Sequence, residues 1–245
     1  MKQSLFTMEH TRQLTADTYE MVLSGDTSAI TAPGQFVNIA LPMKFLRRPI
    51  SVANWTKDGL LLIVRVAGEG TRELVRSVPG TELDTLSGLG NGFDLENCPE
   101  NPILIGGGVG AAPLFGLAGQ MRQRGVTPTV ALGFRTAKDA FYLEEFAALG
   151  CRLFLATEDG SLGTKGFVTD LVRAVPECTA AFVCGPTPML KAVWALPQLK
   201  IGQYSFEARM ACGFGACVGC TIETKGGPRR VCKDGPVFRK EEIAW

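Results

Sequence analysis

The chain has 245 residues, 46% of them hydrophobic, with 25 Lys and Arg against 24 Asp and Glu and a net charge of +1. This gives apolar material for a packed core in one large or two small domains and excludes a wholly disordered chain. The charge balance speaks against a nucleic-acid protein, and the single histidine, His10, speaks against a zinc hydrolase site built from several imidazoles.

The N-terminal residues Met1–Phe6 carry no extended apolar run or cleavage site, so a cytoplasmic location and reduced thiols are expected. Residues 1–98 read as an antiparallel β-barrel. Thr18–Ser24, Gln35–Ala40 and Leu60–Ala67 are short runs rich in β-branched and aromatic residues, separated by Gly-, Pro- and Asp-containing turns. Residues 97–102 hold two prolines and read as a linker. The stretch Ile103–Met121 has no charge, but its glycines and Pro113 make a poor membrane helix, and a buried strand, turn and helix are expected instead.

Residues 102–203 then alternate strand and helix. Strands are expected at 102–105, 130–134, 152–156 and 180–184, and helices at 111–124, 141–149, 168–175 and 188–196. Such alternation builds a parallel sheet whose ligands bind beyond the carboxyl ends of the strands. The loops at 106–110, 135–139, 157–161 and 184–188 are therefore the candidate nucleotide site. Residues 204–245 hold half of the eight cysteines and no long periodic element.

Four stretches carry chemistry. Cys212-x4-Cys217-x2-Cys220-x11-Cys232 has the plant-type [2Fe–2S] spacing, with a short last gap, and glycines between the ligands let N–H groups reach sulfur. Four cysteines also make a structural zinc site, although those more often use two C-x2-C pairs. Arg47-Arg48-Pro49-Ile50-Ser51 places a guanidinium and a hydroxyl on one strand, suited to the pyrophosphate and ring edge of a flavin. Arg65 and Gly68-Glu69-Gly70-Thr71 add backbone N–H groups and a hydroxyl for phosphate, or form an ordinary turn. Gly106-Gly107-Gly108-Val109-Gly110 joins a strand to a helix, as a pyrophosphate loop does, but Ala112-Pro113 departs from G-x-G-x-x-G. Glu158 and Asp159 offer ribose ligands. Cys184-Gly185 ends a strand, where the thiol either meets a nicotinamide or packs in the core. Cys98, Cys151 and Cys178 are expected to be core residues, and His10 a surface or hydrogen-bonding one.

Barrel with Arg-x-x-Ser, then Gly-Gly-Gly-x-Gly, then Cys-Gly-Pro, resembles the ferredoxin–NADP reductase superfamily. Glu207-Ala208-Arg209-Met210-Ala211-Cys212-Gly213 and Arg230-Val231-Cys232-Lys233-Asp234-Gly235-Pro236 narrow the resemblance to the electron-transfer subunits of bacterial B-type, NAD-dependent dihydroorotate dehydrogenases. The resemblance implies FAD on Arg48, Pro49, Ile50, Ser51, Ile63, Val64, Arg65, Gly70 and Thr71. It implies NAD on the α/β domain, for which Gly107, Gly108, Gly110, Glu158, Asp159, Cys184 and Gly185 are the candidates. It also implies a [2Fe–2S] cluster in residues 204–245 and a heterotetramer with two FMN-containing catalytic subunits, with no nucleic acid or membrane as partner. Electrons would run from FMN through the cluster and FAD to NAD+ in pyrimidine biosynthesis. Related subunits serve sulfide dehydrogenases, transhydrogenases and hydrogenases, and a zinc- or redox-responsive regulator is the reading from another class.

Overall fold

The computed structural model describes residues 1–96 and 98–245; Asn97, at the start of the expected linker, lies outside them. Six strands close an antiparallel barrel in the order β1-β2-β5-β4-β3-β6. They are β1 (Lys2–Gln13), β2 (Thr18–Gly25), β3 (Phe36–Ile39), β4 (Arg48–Trp55), β5 (Gly59–Arg65) and β6 (Glu82–Leu89). Side chains alternate across each strand, and the inward set, including Phe6, Met21, Val37, Ile39, Leu62 and Val64, forms the barrel core. Closure leaves no unpaired edge. A short helix, α1 (Glu69–Leu74), follows β5, where the sequence suggested only a loop.

The second region alternates β7 (Pro102–Gly107), α2 (Ala111–Gln123), β8 (Thr129–Phe134), α3 (Leu143–Ala148), β9 (Arg152–Thr157), β10 (Thr164–Lys165), α4 (Val168–Arg173), β11 (Ala180–Cys184), α5 (Thr187–Trp194) and β12 (Ile201–Ser205). Strands β7 and β11 are buried along their whole length, as parallel strands covered on both faces must be, and so read as unbroken apolar runs. The uncharged 103–121 stretch is thus β7, a 3₁₀ turn and α2, with its apolar side chains inside the core. No helix among the described residues is long and apolar enough to cross a membrane.

Strand β12 crosses the expected boundary at 203/204. After it the chain makes an excursion through the hairpin β13 (Thr221–Thr224) and β14 (Gly227–Arg230) and the short α6 (Val231–Asp234). It then returns as β15 (Val237–Arg239), antiparallel to β12. The sheet order is β10-β9-β8-β7-β11-β12-β15, so the expected parallel sheet gains one antiparallel edge strand. Both ends of the cysteine-bearing excursion are therefore fixed to the same sheet.

Three contacts set the barrel against the sheet. Gly116 of α2 lies against β4, where a Cβ would stand 2.5 Å from the Ala53 carbonyl oxygen. The Asp94 N–H donates to Gln203 Oε1 and Gln203 Nε2 donates to the Asp94 carbonyl, both at 2.8 Å. Tyr142, which precedes α3 with φ 62°, donates from its buried hydroxyl to Glu20 of β2. Arg12 holds the same carboxylate through Nε and Nη2 at 3.0 and 2.9 Å.

Candidate functional site

A cavity of about 470 Å³ opens at the carboxyl ends of the parallel strands, where the topology places ligands. Gly107 and Gly108 line it from the end of β7, Arg135 from β8, Glu158 from β9 and Met189 from α5, while Asp17 and Arg65 close it from the barrel. Three of the seven expected nucleotide residues, Gly107, Gly108 and Glu158, thus face one cleft. Gly108 takes φ +54° and a Cβ there would meet nothing within 4 Å, so backbone is open to a ligand at this turn.

The other four stand differently. A Cβ on Gly110 would run into the Cys184 carbonyl, so this glycine serves the packing of the turn on β11 rather than approach to phosphate. Gly185 is occupied in the same way by Gly107 and Met189. The Cys184 thiol is buried and pushed up to about 12, chiefly by burial and further by the charge of Glu207. Asp159 is exposed and bonded to Ser161, turned to its own loop. Arg135 and Asp139, in the 135–139 loop that the strand–helix alternation marks, line the cleft as well, and so does Phe141 just past that loop, which the sequence did not single out.

On the barrel, Arg48 lies directly over Gly70, where any side chain would collide with the guanidinium. The start of α1 and the Arg48 side chain therefore share one cradle, which fits a pyrophosphate held by a guanidinium. Ser51 is exposed three residues along β4, whereas Ile50 is buried. Ile63 and Val64 are also buried, which leaves their backbone, not their side chains, for a ring edge. The Arg65 Nε donates to Asp17 Oδ2 at 2.9 Å. The Thr71 hydroxyl closes its own turn: it accepts from the Ala67 and Gly68 N–H groups and donates to the Gly68 carbonyl.

The four thiols stand as two pairs. Cys212 and Cys217 have their sulfurs 3.4 Å apart, and the Cys232 N–H donates to Cys220 Sγ at 3.4 Å. Cys220 and Cys232 are buried, Cys212 and Cys217 half-buried. Burial acts to raise the Cys212 thiol, but N–H groups of Cys217, Phe214 and Gly215 outweigh it and draw the thiol down to about 6. Cys232 is pushed up to about 12 by burial and by its neighbour Cys220. Among the described residues no three Cys, His, Asp or Glu side chains converge as ligands of one ion. Two cysteine pairs with N–H groups aimed at sulfur are a donor set that suits a cluster of two irons.

The remaining cysteines are quiet. Cys178 is buried, Cys98 and Cys151 are partly so, and burial raises all three thiols. His10 is largely exposed at 4.0 Å from Glu20.

Two family profiles match the chain: the iron-sulfur cluster binding domain of dihydroorotate dehydrogenase B over residues 207–244 and the oxidoreductase NAD-binding domain over residues 104–194. A chain of the NADH-dependent reduced ferredoxin-NADP oxidoreductase, described for flavin-based electron bifurcation, superposes with a TM-score of 0.89 at 31% identity, covering 99% of this chain and 90% of that one. The dihydroorotate dehydrogenase B (NAD(+)) electron transfer subunit of Listeria monocytogenes serotype 4a is 41% identical over 92% of each chain. Its counterpart from Bacillus velezensis is 40% identical over 100% of each. By full-length sequence and by both of its matched domains, the chain belongs to the family of dihydroorotate dehydrogenase B electron transfer subunits.

Proposed function

We propose that this chain relays electrons between the FMN of a dihydroorotate dehydrogenase catalytic subunit and NAD+, through a [2Fe–2S] cluster and FAD, in pyrimidine biosynthesis. The observation that carries the reading is the set of two thiol pairs on an excursion fastened to the same sheet whose carboxyl end forms the nucleotide cleft. When bound, NAD(H) exchanges hydride, a flavin converts between two-electron and one-electron transfer, and the cluster carries single electrons.

The chain's own groups supply holding and orientation. Gly107, Gly108 and Glu158 line the cleft that would take the nucleotide, and Arg48 with the start of α1 would take the flavin pyrophosphate. The oligoglycine turn brings backbone to the ligand, and Glu158 offers a carboxylate to ribose hydroxyls. Cys212, Cys217, Cys220 and Cys232 would hold the cluster. The single histidine stands at the surface, and on this reading proton removal from the pyrimidine precursor belongs to the catalytic partner. Phe214 and Val218 beside the thiols are 44% and 76% exposed, which suits a loop covered by a catalytic subunit in a cytoplasmic heterotetramer of two chains each.

The test is direct. The purified chain should show flavin and iron–sulfur absorption, and with an FMN-containing partner it should couple dihydroorotate oxidation to NAD+ reduction. A colourless chain would defeat the reading in favour of a zinc or regulatory role. A second reading rests on the 31% identity to the ferredoxin-NADP oxidoreductase chain: the same wiring in a transhydrogenase-type complex, indicated by a coloured chain that leaves dihydroorotate untouched.

A further inference from the structure

Strand β3 is buried at all four positions. Val37 and Ile39 point into the barrel core. By alternation Phe36 and Asn38 point outward, and that outer face is covered by the cysteine-bearing excursion: Phe36 packs in the same apolar cluster as Cys220, Val231 and Cys232. Asn38 is the polar exception on this face. It is 1% exposed, and its Nδ2 donates to the carbonyl of Cys212 at 3.0 Å. The Asn38 Oδ1 finds no partner among the described residues. A buried amide left half-satisfied is uncommon and calls for a reason.

The excursion meets it closely. Gly213 takes φ +75°, and a Cβ there would collide with Asn38 Nδ2, so glycine lets the Cys212 peptide come down onto the amide. Asn38 is also fixed from behind, because its carbonyl accepts from Arg47 Nη1 at 3.3 Å while Arg47 pairs with Asp84. Across the barrel ladder Asn38 lies opposite Pro49, and Phe36 opposite Ser51, on the strand that carries Arg48, Pro49, Ile50 and Ser51. One hydrogen bond therefore joins a cluster ligand's peptide to the strand next to the flavin strand. At the other end Asn91 Nδ2 donates to the Val237 carbonyl at 2.7 Å, beyond α6 and Cys232.

We propose that Asn38 is a positioning residue that fixes the cluster at its working distance from the flavin, an inference that rests on the function proposed above. One-electron transfer through protein falls steeply with distance, so a loosened Cys212 peptide slows that step and leaves hydride exchange untouched.

The test uses the full chain, loaded and in complex with its catalytic partner. Asn38→Leu keeps the volume and removes the donor. It should retain iron, sulfide and flavin, and NADH should bleach the flavin at the wild-type rate in stopped flow. Cluster reduction should then slow severalfold, while flavin reduction by NADH does not. The cluster's electron paramagnetic resonance lines should broaden. Asn38→Asp, nearly isosteric but turning an acceptor toward the Cys212 carbonyl, should do the same if the leucine variant does not fold. Wild-type cluster reduction and unchanged resonance lines in either folded variant would overturn the proposal. A wild-type chain lacking both chromophores would overturn the functional reading and this proposal together. A coloured wild-type chain inactive with dihydroorotate would overturn the partner assignment alone.

Discussion

The cluster loop and the nucleotide cleft are built by opposite means. Four cysteine side chains within 21 residues of sequence define the first, and on the reading proposed above their identity and spacing are the site. The cleft is assembled from the ends of β7, β8 and β9, from α4 and α5 and from the barrel residues Asp17, Thr18 and Arg65. Four of its lining residues, Gly107, Gly108, Gly133 and Gly166, are glycines. The difference lies in what a substitution removes. At the loop each sulfur would be a ligand, and nothing nearby would replace it. In the cleft each residue contributes shape, and neighbours share the load.

The largest effects are therefore expected at the thiols. Cys220→Ser should abolish cluster loading, read as loss of iron, sulfide and cluster absorption, while flavin absorption persists, because serine oxygen is a poor substitute for thiolate on iron. Retained iron at full stoichiometry would break the contrast. In the cleft, Gly107→Val should raise the KM for NADH by roughly tenfold or more with a smaller change in protein stability. A Cβ at Gly107 stands 2.5 Å from Met189 Sδ, on the cleft wall. Gly110→Ala should behave the other way. Its Cβ would meet the Cys184 carbonyl, so overpacking should cost about 1–3 kcal/mol of stability with little change in KM. Equal KM effects from both substitutions would show that the two glycines do not divide as the geometry divides them.

The same contrast explains what was legible in the sequence. The thiol spacing needed no fold to be read. The apolar runs 102–105 and 180–184 gave two central strands, because parallel strands covered on both faces lack a polar rhythm that could be misread. Strand β1 was missed for the opposite reason. Only Phe6 and Met8 of its 12 residues are buried, and a register shift between Met8 and His10 breaks the alternation. Asn38 could not be found by any local signal, since a single asparagine in Phe36-Val37-Asn38-Ile39 looks like an ordinary outward position. Its partner, the Cys212 carbonyl, is 174 positions away. Tyr142 and Glu20 were invisible likewise, being 122 residues apart.

That Glu20–Tyr142 contact joins the barrel to the α/β region and gives an intermediate effect. Burial acts to raise the Glu20 carboxyl, but hydrogen bonds from Arg12 and Tyr142 outweigh it and hold it below the usual 4.5. A carboxylate depressed in the folded state contributes stability fully present above its unfolded value and lost as pH falls through the folded one. Glu20→Gln keeps the shape and removes the charge. It should cost about 1–3 kcal/mol near neutrality, and the acid side of the stability–pH curve below about pH 4.5 should flatten relative to wild type. A variant whose denaturant midpoint matched wild type at pH 7 would remove Glu20 from the joint.

The smallest effect tests where the barrel's own contribution lies. If the flavin cradle is made by Arg48 and the backbone at the start of α1, the Thr71 hydroxyl acts only by closing its turn on Ala67 and Gly68. Thr71→Val should then lower stability by about 0.5–1.5 kcal/mol, the worth of an ordinary hydrogen bond. Thr71→Ser, which keeps the oxygen, should sit close to wild type. Flavin retained after gel filtration should fall only as far as the loosened turn requires. A flavin-free Thr71→Val chain of normal thermal stability would mean that the hydroxyl leaves its turn to meet the phosphate. The cradle would then depend on a single side-chain atom, as the cluster loop does, and the division between ligand-built and shape-built sites would fail on the barrel.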